Sequence, residues 1–244
     1  MKQNFKFIYP KSMRSLIDEK RHYEVESTKL PSVTTILSAT MPDDKKRALD
    51  AWKERVGNVE ADKIKNEAAN RGTAMHSIIE KYLLGQGYLD LTDVGHQAHT
   101  MATQIIENGL KNKLSELWGI ECCLYYPDLW AGQTDVCGIY EDGEAIIDFK
   151  QSNKPKQRQW IADYKLQLAA YALAHNEIYG TNIQKGVNLI CTKDNYFQKF
   201  VFEGEEFRQA KFEWLRRVDQ YYNNIKDLTG VDKSDKIDTM KGYN

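Results

Sequence analysis

Between Trp118 and Phe149 the chain is written in a period of two, and that stretch more than any other limits the folds open to it. Ile120, Cys122, Leu124 and Tyr126 alternate with other residues, and so does the run Thr134–Tyr140. Ala145–Phe149 resumes the pattern after Glu141-Asp142-Gly143-Glu144. Successive strand side chains point to opposite faces, so alternation gives each strand one buried face, and an Asp-Gly pair suits a tight hairpin. The reading is an antiparallel meander of three strands.

Helical periods lie on either side. Pro42 precedes Asp43 and Asp44, which suit the first turn of a helix reaching about Val56. A second helix over 60–84 sets Ala68, Met75, Ile79, Tyr82 and Leu83 on one face and stops near Gly85-Gln86-Gly87. A third over 96–115 carries Met101, Ile105, Leu110 and Leu114. Leu166–Tyr179 reads as a helix, strands at about 186–192 and 196–203 flank Lys193-Asp194-Asn195, and a last helix covers about 205–225. Residues 1–40 read as short extended pieces leading into Pro31-Ser32-Val33-Thr34-Thr35-Ile36-Leu37. This order predicts an α/β (α+β) fold, a central mixed sheet flanked by helices with an N-terminal helical subdomain. The divisions are an extended and helical region over 1–116, a core over 117–228 and a polar tail over 229–244, in one compact unit.

A chain of 244 residues, 41% hydrophobic and 28% charged, suffices for one sizeable core. No stretch approaches the roughly 18 apolar residues of a membrane span, and MKQNFKFIYPKSMR lacks a signal-peptide core, so the reading is cytoplasmic with no membrane partner. A net charge of −1 argues against a binder that holds nucleic acid by bulk electrostatics alone. Cys122, Cys123, Cys137 and Cys191 form no CxxC pair, which argues against zinc and against an iron–sulfur cluster and for buried reduced thiols.

If the Asp-Gly turn joins their strands, Asp135 and Asp148 meet at neighbouring positions. Asp148 and Lys150, two apart on one strand, project from one face. Adjacent carboxylates repel unless a cation intervenes, and a hard divalent ion such as Mg²⁺ or Mn²⁺ takes oxygen ligands. Asp-x-Lys is common in exposed hairpins, but Ile146-Ile147 argues that this strand is buried, where charges need partners.

Gly132-x-x-Asp135, then Ile146-Ile147-Asp148-Phe149-Lys150, then Gln167-x-x-x-Tyr171 resembles the RecB-like branch of the PD-(D/E)XK nucleases. Gly72-Thr73-Ala74-Met75-His76 with Glu80 is similar to that branch's helical histidine motif, and Glu121 stands where the family has an acid on the first core strand. Pro31–Leu37, Ala51-Trp52-Lys53, and Ser152, Lys154, Pro155 and Lys156 after the lysine resemble the mitochondrial genome maintenance exonucleases and their shorter phage relatives. Gln151 departs from that pattern, since relatives usually carry Thr there.

The resemblance implies a PD-(D/E)XK core in which His76, Glu121, Asp135, Asp148 and the main-chain carbonyl of Phe149 hold the metal. Lys150 would act at the phosphate or attacking water, with Gln167 and Tyr171 facing the site one helical turn apart. Lys154, Lys156, Arg158 and Trp160 form a basic loop with an aromatic, suited to DNA contact. The implied activity is metal-dependent DNA exonuclease action on single strands with free ends, the 43–115 helices arching over the strand, with no obligatory protein partner. A structure-specific or duplex endonuclease, and an inactive nucleic-acid-binding module, are the alternatives.

Overall fold

A computed structural model describes residues 1–87, 92–229 and 233, so the polar tail expected over 229–244 lies outside the described residues except at Thr229 and Lys233. The chain opens with β1 (Lys2–Gln3), β2 (Ser12–Ile17), β3 (Lys20–Val25), β4 (Thr28–Pro31) and α1 (Val33–Ala39). Helices α2 (Asp43–Val56), α3 (Asn58–Leu83) and α4 (Asp93–Ile105) follow. Then come β5 (Leu114–Tyr126), β6 (Trp130–Tyr140), β7 (Gly143–Ser152), α5 (Ala162–Tyr179), β8 (Lys185–Thr192), β9 (Phe197–Glu203) and α6 (Gly204–Thr229). Among the described residues no helix is long and apolar enough to cross a membrane.

The main sheet runs β1-β5-β6-β7-β8-β9, and a smaller one runs β2-β3-β4. β5, β6 and β7 form the expected antiparallel meander, and Asp142 takes a positive φ of 69° at the hairpin. β7 pairs with β8 in parallel across the α5 crossover, and β8 with β9 antiparallel, which makes the sheet mixed. On one face Ile146, Cys137 and Ile190 pack with α5, α6 and α1 through Leu168, Ala172, Trp214 and Ile36. On the other, Val136, Ile147, Phe149, Val187 and Leu189 pack under α3 and α4 through Met75, Ile79, Met101 and Ile105. Period two along each strand thus feeds two separate apolar layers. All four cysteines are buried free thiols, each on a strand.

Two expectations are corrected. Val33–Ala39 is helical, not extended: the Ser32 side chain accepts the Thr35 N–H, and Val33, Ile36 and Leu37 are buried at helical spacing. A cap and tertiary burial outweigh β-branched propensity here. The third helix ends well before 115. A π turn over Ile106–Leu110 follows Ile105, Lys111 is extended, Asn112 takes φ 61°, and Leu114 already begins β5. Leu110 and Leu114, four apart, mimic a continuing helix although both are buried in one apolar layer from different elements.

Candidate active site

Strand register builds the site. β5 and β6 pair Ile120 with Val136 and Cys122 with Thr134, so Glu121 stands across from Asp135. β6 and β7 pair Val136 with Ile147 as their last ladder position, so Asp148 is next across from Asp135. Asp148 in turn pairs with Asn188 on β8. Glu121, Asp135, Asp148 and Asn188 therefore form one row across four strands.

The row is irregular where chemistry would need it. Glu121 holds φ 49°, in the left-handed region, beside a register shift in β5 at Leu117/Gly119. Such a conformation costs a bulky residue about 1–3 kcal/mol and persists only where its surroundings fix it. Past Ile147 the β6–β7 ladder stops, and the Asp135 carboxylate accepts the Phe149 N–H at 2.5 Å. Through this parting of the sheet His76, on α3 from the other layer, brings Nδ1 to 3.3 Å from Asp135 Oδ1 and 4.0 Å from Glu121 Oε1. One ligand atom from each of His76, Glu121 and Asp135 lies within 4.8 Å of the others. The Phe149 ring meets the imidazole edge-on at 5.9 Å.

Asp148 is buried, accepts from Asn188 Nδ2 at 3.0 Å and pairs with Lys150 Nζ at 2.5 Å. Burial pushes its carboxyl up to about 6, Lys150 opposes that, and the neighbouring Asp135 adds to it. Burial also acts to raise Asp135, but the charges of His76 and Lys150 and the Phe149 N–H hold it below the ordinary range. For His76 burial pulls down, yet Asp135 and Glu121 raise it to about 10. Burial likewise pulls the Lys150 ammonium down, and Asp148 and Asp135 more than offset this. Its charge also lies 5.3 Å from the ring centre of Tyr164. Opposed carboxylates, one easily protonated and one held ionised, mark a cation-seeking corner.

On α5, Gln167 Nε2 donates to the Tyr171 hydroxyl one turn on, at 3.1 Å. Tyr171 is buried against Gly132, where a Cβ would stand 2.7 Å from its ring. Both residues line a cavity of about 160 Å³ beside Glu121. A larger cavity of about 700 Å³ is lined by His76, Glu121, Phe149 and Lys150.

The basic loop takes a different place. Arg158 is tied to Glu206 at 2.5 Å and to the Val201 carbonyl at 2.6 Å, and Trp160 is exposed. None of Lys154, Lys156, Arg158 and Trp160 lines either cavity. Gln151 accepts from Arg71 Nε at 3.1 Å and from Arg71 Nη2 at 2.8 Å, so its side chain joins β7 to α3.

Sequence reasoning missed Asn188, Arg71, Tyr164, Arg14 and Arg21. Asn188 left one trace, a lone polar residue in the apolar run Gly186-Val187-Asn188-Leu189-Ile190. The arginines left none, because only docking of distant elements brings them here.

No family model matches the chain. Three proteins named mitochondrial genome maintenance exonuclease 1 are similar to it, as the motifs suggested. That of Mus musculus is 29% identical over 217 residues, covering 84% of this chain and 62% of its own length. That of Homo sapiens is 27% identical, covering 81% and 60%, and that of Xenopus tropicalis 25% identical, covering 75% and 59%. The chain spans about three fifths of the length of these relatives.

Proposed function

We propose that this chain hydrolyses DNA phosphodiester bonds as a metal-dependent exonuclease that prefers single strands with a free end. The observation that carries this reading is the row Glu121–Asp135–Asp148, met by His76 from one side and Lys150 from the other. Acids crowded into a partly buried corner cost free energy unless cations sit among them. Carboxylate oxygens with one imidazole suit Mg²⁺ or Mn²⁺ better than a thiolate-seeking metal. His76, Glu121 and Asp135 would hold the ion, with Asp148 and the Phe149 carbonyl contributing. When bound, it supplies neutralising charge at the phosphate and a lowered pKa for water.

The chain's own groups do the rest. Asn188 fixes the Asp148 carboxylate, which in turn tethers the Lys150 ammonium. From there Lys150 orients the attacking water or offsets charge growing on the phosphate. Gln167 and Tyr171 brace the wall beside Glu121 and position the phosphate or the strand that carries Lys150. The name shared by the similar proteins supports exonuclease action. The exposed helix α2, which buries none of its residues, supports an arch over the strand.

The test compares end-labelled linear single strands, blunt duplex and closed single-stranded circles in Mg²⁺ and in EDTA. The expected result is degradation of linear single strands in Mg²⁺ alone, with circles intact. Cleavage in EDTA would remove the metal from the reading, and rapid cutting of circles would make the enzyme an endonuclease.

A further inference from the structure

We infer that Arg14 and Arg21 form a phosphate-binding subsite that carries a nucleic-acid strand away from the catalytic row. This assignment rests on the nuclease reading above and names residues that sequence motifs did not reach. Among the described residues, only these two line all three of the adjoining cavities beside the row: the 700 Å³ and 160 Å³ spaces and a third of about 560 Å³. The third continues past Glu19, Lys20, Thr34, Ser38 and Lys65. Together they form a path that begins at His76 and Lys150 and leaves between the β2–β3 hairpin and α1, past Lys65 of α3.

The hairpin is built to hold the arginines there. Arg14 pairs with Tyr23, and Leu16 with Arg21, so the two arginines are diagonal neighbours on one sheet face, roughly 7–8 Å apart. Farther along that face Tyr23, Val25 and Leu30 are buried against Cys123 of β5 and Ala131 of β6. The apolar end of the face clamps the hairpin to the core, and its basic end overhangs the catalytic strands. The Arg21 carbonyl also accepts the Ser32 N–H at 3.0 Å and the Thr35 hydroxyl at 2.8 Å, which locks β3 to α1.

Two guanidiniums held near each other repel, and three other arginines, Arg158, Arg208 and Arg216, settle their charge on carboxylates, whereas Arg71 and Arg217 donate to uncharged oxygens. Among the described residues neither Arg14 nor Arg21 forms an ion pair. An anion between them relieves the repulsion, and the planar guanidinium suits the two oxygens of a phosphodiester. The phosphate next to the one being cut is the anion that a strand lying in this path presents.

The test measures binding of a fluorescein-labelled single-stranded oligodeoxynucleotide in EDTA by anisotropy, across salt concentrations, for the wild type and R14Q/R21Q. The variant should bind at least ~10-fold more weakly at low salt. Its log K against log salt should be shallower by about 1.4, from ~0.7 for each single-strand phosphate contact. In Mg²⁺ the loss should appear in KM with kcat nearly kept, and an unchanged melting temperature shows that the fold is intact. Wild-type affinity and salt slope in R14Q/R21Q would overturn the subsite, while metal-dependent cleavage by the wild type left the hydrolase reading standing. Wild-type binding with no cleavage in any divalent metal would sink the hydrolase reading instead, and a weakened R14Q/R21Q would still support the subsite.

Discussion

Asp135 accepts the main-chain N–H of Phe149 through Oδ2 at 2.5 Å, one position beyond the last ladder pair of β6 and β7. A side chain thereby takes over from a backbone partner. The exchange lets the strands part without leaving a buried N–H unsatisfied. The parting is what admits His76 from the opposite layer, and Asp135 Oδ1 remains to face it.

Asp135→Asn and Asp148→Asn should each reduce Mg²⁺-dependent cleavage by at least ~100-fold, about 2.7 kcal/mol. Asp148→Asn should remain folded in metal-free buffer, since relief of the buried acid and loss of its pairing with Lys150 oppose each other. A single-turnover assay and a melting curve check both. Near-normal cleavage by either variant would take that carboxylate out of the chemistry.

Lys150→Ala removes the ammonium bound to Asp148 and should slow cleavage at saturating DNA by at least ~100-fold. Oligonucleotide affinity should fall far less, since the arginines and the rest of the cavity stay in place. Equal losses in affinity and rate would leave Lys150 a binding residue only.

Gly132→Ala should destabilise the fold by about 1–3 kcal/mol, the usual cost of overpacking. Its Cβ would stand 2.7 Å from Tyr171 Cε1 and 2.9 Å from the hydroxyl that Gln167 holds. Chemical denaturation measures the loss, and kcat should fall with it if that pair positions substrate. A variant as stable and active as the wild type would show that Tyr171 has room to move.

Arg71 is buried and donates to Gln151 and, at 2.5 Å, to Asn153. Arg71→Met should cost about 1–3 kcal/mol by leaving these acceptors unpaired. Because α3 also carries His76, activity should drop in the same variant while Gln151→Thr is affected less. Undiminished stability in Arg71→Met would mean that the apolar face of α3 docks it unaided.

His175 is fully buried, its ring nitrogens 3.1 Å from the Tyr9 hydroxyl and 2.8 Å from Thr181 Oγ1. Burial, helped by nearby Lys6, lowers its pKa from 6.5 to about 4. The unfolded chain then binds a proton that the folded chain refuses between those values. This contribution to stability is complete above about pH 6.5, is lost as pH falls towards 4, and totals on the order of 3 kcal/mol. Unfolding free energy measured from pH 7 to 4 should fall less steeply for His175→Gln than for the wild type. Parallel curves would place the titration elsewhere.

The sequence by itself determined what is local. Period two and the Asp-Gly turn made β5, β6 and β7 legible, and with them the closeness of Asp135 to Asp148 and the shared face of Asp148 and Lys150. Four-residue spacing did the same for Gln167 and Tyr171. Local cues also misled where two readings of one pattern compete, as at Val33–Ala39, where a serine cap and burial turned β-branched residues into a helix. Only the tertiary structure decided that His76 reaches Asp135, that Glu121 turns into the row, that Asn188 rather than a second acid meets Asp148, and that Arg14 and Arg21 overhang them. Hairpin geometry follows from bonds between near neighbours along the chain. These other meetings depend on register shifts, on the point where two strands part and on how whole apolar layers dock, and no short run of residues encodes them.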